Sequence, residues 1–308
     1  MRMQNQRRVY GETLVELGRE NKNIVVLDAD LSKSTMSCLF EQEFPERFFE
    51  MGIAEANMIS FAVGLSLTGK IAFANSFAVF STGRPFDQIR QGVAIGKMNV
   101  KIIGSSAGLS DFGDGATHQS VEDIAIMRAI PNMTVISPCD AIETKKVVRF
   151  AAEYNGPVYI RVSRNDVPDI FPEDARFVIG KPVVLREGKD ITVFATGTMV
   201  YEALIAADRL SGLGISVRVV NVSTLKPLDE ESIIRLSEDV KGIITVEEHS
   251  IIGGLASAVT YALRGKGIPI KTIGINDEFG QSANTYDELL VHYGLTADNI
   301  VENAKALY

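Results

Sequence analysis

The stretch IVVLDADLS, residues 24–32, joins a short β-branched run to acidic and hydroxyl residues. A run of this composition predicts a buried strand, and the polar residues after it predict a loop at the strand's carboxyl end. Similar runs alternate with segments of helical period along the whole chain, which is typical of parallel sheets with helices on their faces. We therefore predict an α/β fold.

Two domains are expected, because 308 residues exceed the usual size of a single core. Prolines and scattered charges interrupt the alternation between residues 165 and 186. We predict a domain at 1–170, a linker at 171–185 and a smaller domain at 186–308, each a three-layer α/β/α arrangement with a mostly parallel sheet. The predicted strands cover 24–28, 71–74, 100–104, 134–136, 158–161, 191–195, 215–220, 242–246 and 269–273. The predicted helices lie near 10–20, 56–68, 84–96, 121–129, 140–154, 199–211, 230–237, 255–264 and 285–291.

The charge pattern narrows the classes of partner. With 31 basic and 39 acidic residues the net charge is −8, and no run of like charge occurs, so neither nucleic acid nor a membrane surface is an expected partner. The N-terminus is polar and no stretch is long enough to span a bilayer, so we expect a cytoplasmic protein. Two cysteines, Cys38 and Cys139, form neither a disulfide framework nor a metal-ligand spacing.

The segment GIAEANM, residues 52–58, places Glu55 at the start of a long apolar run. No Lys or Arg occurs in residues 58–67, so we expect the partner of this acid to be either backbone amides or a bound ligand. A helix-start acid favoured by the macrodipole explains the residue type by itself.

The same segment resembles the signature of the pyrimidine-binding domain of transketolases. In that family the glutamate hydrogen-bonds the aminopyrimidine ring of thiamine diphosphate, which implies that Glu55 is both catalytic and cofactor-binding. The cofactor would supply the reactive chemistry, and the protein would supply position and electrostatics.

Two further segments gain a role from the resemblance. In SFAVF, residues 76–80, core packing alone would explain the phenylalanines, whereas the resemblance implies that Phe77 and Phe80 stack the pyrimidine and exclude water. Gly83 stands where the family often has tyrosine, so Phe86 or a partner chain would complete the pocket. In the loop after the first strand, a capped helix start explains the polar residues equally well. The resemblance implies that Asp30 lines the cofactor cleft and that Ser34 contacts a sugar phosphate.

The loop DFGDGATHQ, residues 111–119, contains the Asp-Gly-x-Thr-His pattern of transketolases. The resemblance implies that Asp114 and His118 bind substrate hydroxyls, with His118 also able to move a proton. A glycine-rich surface turn with a satisfied histidine is the structural alternative. Arg164 and Arg7 match family arginines that bind the substrate phosphate, a role that suits guanidinium groups. Ser106 replaces a histidine that many transketolases use for the same phosphate.

The tripeptide GDG at residues 113–115 imitates the start of the magnesium-diphosphate motif of thiamine enzymes. No asparagine follows at the required spacing, because none lies between Asn132 and Asn155. We therefore predict no metal ligands in this chain. The resemblance then covers only the second half of a full-length transketolase, and it implies the C-terminal subunit of a split enzyme. An N-terminal subunit would carry the diphosphate motif and Mg²⁺ (or Ca²⁺), in an α2β2 assembly with sites at the subunit interfaces. Met58, Phe61 and residues 64–67 could contribute to that interface, although burial in their own domain is the default.

The implied reaction transfers a two-carbon ketol group from a ketose phosphate to an aldose phosphate, as in the pentose phosphate pathway of carbohydrate metabolism. Three alternatives stay open. A 1-deoxy-D-xylulose-5-phosphate synthase shares both motifs but is usually a single chain, and it would release carbon dioxide from pyruvate. A 2-oxo acid dehydrogenase E1 β subunit shares the domain order but usually lacks the Asp-Gly-x-Thr-His loop. A non-enzymatic assembly module would bind no cofactor with any partner.

Overall fold

The computed structural model describes residues 2–308, in which two large sheets carry helices on their faces. In chain order the strands are β1 Met3–Asn5, β2 Ile24–Asp28, β3 Phe48–Glu50, β4 Ile71–Phe77, β5 Val100–Ser105, β6 Thr134–Ile136, β7 Val158–Arg161, β8 Asp166–Pro168, β9 Val183–Arg186, β10 Ile191–Ala195, β11 Val217–Asn221, β12 Thr224–Lys226, β13 Gly242–Ser250 and β14 Ile270–Ile275. The helices are α1 Gln6–Glu20, α2 Ser32–Thr35, α3 Cys38–Glu43, α4 Glu55–Leu67, α5 Ala78–Gly83, α6 Phe86–Gln88, α7 Asp123–Ala129, α8 Ala141–Glu153, α9 Met199–Ser211, α10 Glu230–Arg235, α11 Leu255–Ala262, α12 Tyr286–His292 and α13 Ala297–Leu307.

The first sheet has the strand order β12-β6-β7-β5-β4-β2-β3. All its neighbouring pairs are parallel except β12 with β6, which is antiparallel. Each of its predicted strands is present, because their apolar side chains are buried under helices on both faces. The strand β12 comes from the second half of the chain and seals the edge of this sheet.

The second sheet has the order β14-β13-β10-β11-β9, and it is parallel except for β9. The prediction of an α/β protein with mostly parallel sheets is confirmed. The strand β9 begins at Val183, inside the segment predicted as a linker, because it pairs with the distant β11. The division into 1–170, 171–185 and 186–308 stays a prediction.

The helix predicted near 84–96 is present but begins at Phe86 and changes to a wider π-type turn at Ile89. The structure has α5, then Pro85, then α6, and the chain continues as a wider π-type turn over Ile89–Ala94. Proline removes a backbone donor and clashes with the preceding turn, so Pro85 separates α5 from α6. This break ends α5 at Gly83 and places Arg84 at its C-terminal cap.

Four neighbouring parallel strands, β2, β4, β5 and β7, end at the same edge of the first sheet. The segments that follow them contain most of the residues singled out by the sequence: Asp30, Ser34, Phe80, Asp114, His118 and Arg164. Glu55 follows the neighbouring edge strand β3. Ligands of open α/β sheets bind outside the carboxyl ends of strands, so this edge is where a site is expected. No helix within residues 2–308 combines the length and hydropathy needed to cross a bilayer. The cytoplasmic location stays a prediction.

Candidate active site

Glu55 is the first residue of α4, and only 4% of its surface is exposed. Its carboxylate accepts a hydrogen bond of 2.8 Å from a guanidinium nitrogen of Arg84. The expectation that backbone amides or a ligand would be its partner is therefore wrong for the chain by itself. A cation from the C-terminal cap of α5 fills that role, because a buried carboxylate needs a partner.

An aromatic pair lies beside this ion pair. The rings of Phe77, at the end of β4, and Phe80, on α5, are nearly parallel, with centroids 6.1 Å apart and an angle of 12° between their planes. The guanidinium carbon of Arg84 lies 4.0 Å from the centroid of Phe80. Arg84 thus contacts the aromatic face and the Glu55 carboxylate at the same time.

His118 approaches the same aromatic pair from the loop after β5. Its ring is edge-on to Phe80 with centroids 5.3 Å apart, and edge-on to Phe77 at 6.3 Å. Its Nδ1 lies 2.9 Å from the hydroxyl of Thr117, which leaves Nε2 for other partners. The structure therefore brings His118 to the aromatic pair that lies beside Glu55.

Asp114 lies just before a 3-10 turn at Gly115–Thr117, and its side chain is exposed. Gly115 has a φ of 73° and packs closely against Ser282 of the C-terminal part of the chain. A side chain at this position would strain the backbone and clash with Ser282. Glycine is thus needed for the turn that separates Asp114 from His118.

Arg164 follows β7 and forms an ion pair of 2.8 Å with Asp111. Its guanidinium carbon lies 6.0 Å from the centroid of Phe77, so Arg164 borders the Phe77 ring of the aromatic pair, whereas Arg84 contacts the Phe80 ring. Burial raises the pKa of Asp111, although the positive charge of Arg164 opposes that rise. The carboxylate partly offsets the charge of Arg164.

Arg7 is a second guanidinium group in this part of the site and lies near Arg164. Its Nη1 donates to the carbonyl oxygen of Ser34 at 2.6 Å, and its buried Nε has no partner among the described residues. Burial, and after it the positive charge of Arg164, lowers the pKa of Arg7 to about 10. Two guanidinium groups that repel each other this way are suited to share an oxyanion. Ser34 meets Arg7 through its backbone oxygen.

Asp30 is exposed, with a φ of 62°, and its N–H donates to the carboxylate of Glu50 at 2.8 Å. The buried acid of this loop is Asp28, which accepts hydrogen bonds from Leu31 N–H and from the hydroxyls of Thr35 and Ser37. Burial raises the pKa of Asp28 to about 6, although these hydrogen bonds oppose the rise. Asp28 thus stabilises the loop, whereas Asp30 faces solvent.

Sequence reasoning missed Arg84 and Asp111. Arg84 follows Phe80 by four residues, and side chains at this spacing lie on the same face of a helix, so the pattern could have indicated a cation beside the aromatic pair. Asp111 had no comparable signal, because its pairing with Arg164 joins two separate loops. Among residues 2–308, no group of three or more His, Cys, Asp or Glu side chains is arranged to hold a metal ion.

Two family models match this chain. The model of the transketolase pyrimidine-binding domain covers residues 2–169, and that of the transketolase C-terminal domain covers 180–300. The chain therefore belongs to the transketolase family, whose members depend on thiamine diphosphate.

Chains of similar length are among its relatives. It is 53% identical over 300 residues to a protein of Methanocaldococcus jannaschii described as a transketolase C-terminal section, covering 96% of this chain and 94% of that one. It is 42% identical over 299 residues to a 6-deoxy-6-sulfo-D-fructose transketolase subunit of a Clostridium species, covering 97% and 92%. A solved structure described as a split gene transketolase, an inactive β4 tetramer, matches with a TM-score of 0.90 and 48% identity over 98% of each chain. The prediction of a split-transketolase C-terminal subunit is confirmed.

Proposed function

We propose that this chain acts with an N-terminal subunit to transfer a two-carbon ketol group from a ketose phosphate to an aldose phosphate, using thiamine diphosphate. The observation that carries the proposal is the meeting of Glu55, the Phe77–Phe80 pair and His118 at one edge of the first sheet. Membership of the transketolase family supports the reaction type. We propose that the reaction is part of carbohydrate metabolism, in the pentose phosphate pathway.

The residues present fit the pyrimidine half of the cofactor. An aminopyrimidine ring is planar and carries N–H groups, so it needs an aromatic face and a hydrogen-bond acceptor. The planar guanidinium of Arg84 makes both kinds of contact here, with Phe80 and with Glu55. Thiamine diphosphate supplies the electron sink needed to break the carbon–carbon bond of the donor.

Each remaining side chain has a proposed role toward cofactor or substrate. Glu55 shares a proton with the ring nitrogen of the pyrimidine, and Phe77 and Phe80 hold the ring and exclude water. Asp114 and His118 bind the donor's hydroxyl groups, and His118 also moves a proton. Asp30 borders the cofactor, on the grounds of the family resemblance alone.

Arg7 and Arg164 are proposed to bind the terminal anion of the sugar, with Ser34 beside them. Their guanidinium groups lie close enough for the charge of one to lower the pKa of the other. The Clostridium relative is described as acting on a sulfonated sugar, and sulfonate is also an oxyanion. We propose phosphate as the anion, and assays with matched phosphorylated and sulfonated ketoses would distinguish the two.

A partner subunit is proposed because the GDG tripeptide of this chain is not followed by an asparagine at the spacing of the diphosphate motif. That partner would hold the diphosphate and Mg²⁺ or Ca²⁺, in an α2β2 assembly. Phe61 on α4 and Phe86 on the neighbouring α6 are exposed by 41% and 38%, which supports an apolar contact surface there. Leu67 is also exposed, whereas Met58 is fully buried in its own domain and is not a candidate.

The test is to assay ketol transfer by this chain alone and together with the N-terminal subunit, with thiamine diphosphate and Mg²⁺. We expect turnover only from the two-chain complex, and full activity from the single chain would contradict the divided site. In the complex, Glu55→Gln should reduce turnover by roughly 10²-fold or more. The matched control is Glu12→Gln, which removes the same charge from an exposed surface pair with Arg8.

A further inference from the structure

Arg84 makes the two contacts that the proposed function assigns to the pyrimidine ring. Its guanidinium donates to the Glu55 carboxylate at 2.8 Å and lies 4.0 Å from the centroid of Phe80. A guanidinium resembles an aminopyrimidine in being flat, rich in N–H donors and able to stack on an aromatic face. The chain therefore already contains a group of the same chemistry as its proposed ligand.

We propose that Arg84 competes with thiamine diphosphate for Glu55 and Phe80, and that cofactor binding displaces the Arg84 side chain. This inference rests on the proposed function. It assigns to Arg84 the role of a positioning residue, which holds the Glu55 carboxylate in place until the cofactor replaces the guanidinium. The contact is then a property of the cofactor-free state.

The burial of the two partners supports an exchange of this kind. Glu55 is 4% exposed and cannot turn to water, so its carboxylate requires a partner in every state of the protein. The side chain of Arg84 is 48% exposed, so it can leave the pair and become hydrated at little cost. The mobile member of the pair is thus the arginine.

The position of Arg84 in the chain also favours its release. It lies just beyond the last residue of α5 and is followed by Pro85, so no helical hydrogen-bond ladder restrains it on its C-terminal side. A change of side-chain rotamer would separate it from Glu55 without moving α4. Phe80 stays on α5 and keeps its stacking with Phe77.

Competition lowers the apparent affinity for the cofactor by the fraction of molecules in which the site is free. A partly exposed ion pair and a cation–π contact together correspond to roughly a three- to twentyfold effect on that affinity. Removing the guanidinium should therefore tighten cofactor binding, which is the opposite of what is expected for a residue that holds the cofactor.

The experiment measures the dissociation constant of thiamine diphosphate by calorimetry in the two-chain complex with Mg²⁺, for the parent protein and for Arg84→Gln. We expect roughly three- to twentyfold tighter binding by the variant. The matched control is Arg90→Gln, which removes the same charge one helical segment further on. No ion pair of Arg90 occurs within residues 2–308, and its substitution should leave the constant unchanged.

A double variant separates competition from general effects. Where Glu55→Gln has already weakened the ion pair, adding Arg84→Gln should tighten binding by much less than it does in the parent protein. A second readout is the cofactor-induced rise in melting temperature, which should be larger for Arg84→Gln because its Glu55 lacks a cation until the cofactor binds.

Weaker cofactor binding by Arg84→Gln, or binding equal to that of the Arg90→Gln control, would overturn the inference. Should Arg84→Gln fail to fold, Arg84→Lys replaces it, since lysine keeps the charge but loses the flat donor array, and it should also tighten binding. The proposed function is judged separately by the loss of turnover in Glu55→Gln. That loss can occur whether or not Arg84 competes.

Discussion

The guanidinium of Arg161 donates to the carboxylate of Asp123 at 2.9 Å, and both side chains are buried. The same guanidinium donates to the carbonyl oxygen of Glu248 at 2.7 Å. Arg161 ends β7 in the first sheet, whereas Glu248 belongs to β13 in the second. One buried cation therefore joins the two sheets.

Arg161→Met should destabilise the protein by about 3–5 kcal/mol, because it leaves the Asp123 carboxylate buried without a cation. Urea unfolding followed by circular dichroism measures the change. The control is Arg8→Met, which breaks an exposed pair with Glu12 and should cost less than about 1 kcal/mol. Equal losses of unfolding free energy in the two variants would show that the buried pair contributes no more to stability than the exposed pair.

Glu247 should make stability depend on pH near neutrality. Its carboxylate accepts from the N–H groups of Leu255 and Ala256 at the start of α11, and burial raises its pKa to about 7 despite these hydrogen bonds. The folded state thus binds more protons than the unfolded state between about pH 4.5 and 7. The stabilisation that comes from the protonated group is present at low pH and is lost as the pH rises through 7.

The measurement is the difference in unfolding free energy between the parent protein and Glu247→Gln at several pH values. The unfolding free energy of the variant should increase relative to that of the parent by about 1–3 kcal/mol as the pH is raised from 5 to 8. As a control, Asp229→Asn alters a carboxylate whose pKa is lowered to about 2 by Lys181 and Ser232. The change in unfolding free energy caused by this substitution should therefore be the same at every pH between 5 and 8. A constant difference for Glu247→Gln would mean that its titration does not contribute.

Arg164→Lys should raise KM for a phosphorylated ketose by roughly tenfold, with a smaller change in kcat. Lysine keeps the charge but cannot bind a phosphate and the Asp111 carboxylate with a planar fork of donors. Steady-state kinetics of the two-chain complex measure both constants. Arg149→Lys is the control, since Arg149 pairs with Glu16 and Glu20 away from the site. An unchanged KM would remove Arg164 from the phosphate site.

His118→Gln should reduce kcat by roughly 10²-fold if the imidazole moves a proton, which is the role proposed for it. Glutamine can still hydrogen-bond a hydroxyl, so a loss of only about three- to tenfold would limit His118 to binding. Asp114→Asn keeps a hydrogen-bonding side chain at the exposed position before the turn, and it should act mainly on KM. Parallel kinetics on the two variants separate the two roles.

The sequence predicts those elements whose signal is local. The run at residues 24–28 is β-branched and buried, and the predicted strand matches β2. The strands β1 and β8 were missed, because each has only three residues and no periodic pattern of its own. They form by pairing with each other across the chain, with Asn5 opposite Asp166. The helix α13 was also missed, although Thr296 caps it by accepting from Asn299 N–H, which is a readable start signal.

In the candidate site, too, local motifs were predicted and contacts between distant segments were not. The motifs around Glu55 and His118 are contiguous, and the resemblance to a family followed from them. The cation that pairs with Glu55 lies 29 residues further along the chain, well outside the apolar run of residues 58–67. The Asp111–Arg164 pair was likewise hidden, because it depends on how two loops meet.

The strand β12 has a consequence for how the chain is completed during synthesis. The outer edge of β6 is covered only by Thr224–Lys226, which the ribosome adds long after the rest of that sheet. Until then the growing polypeptide presents an unpaired edge, which is the kind of surface that recruits other chains. A fragment cut near residue 170 would keep that edge permanently open and should aggregate.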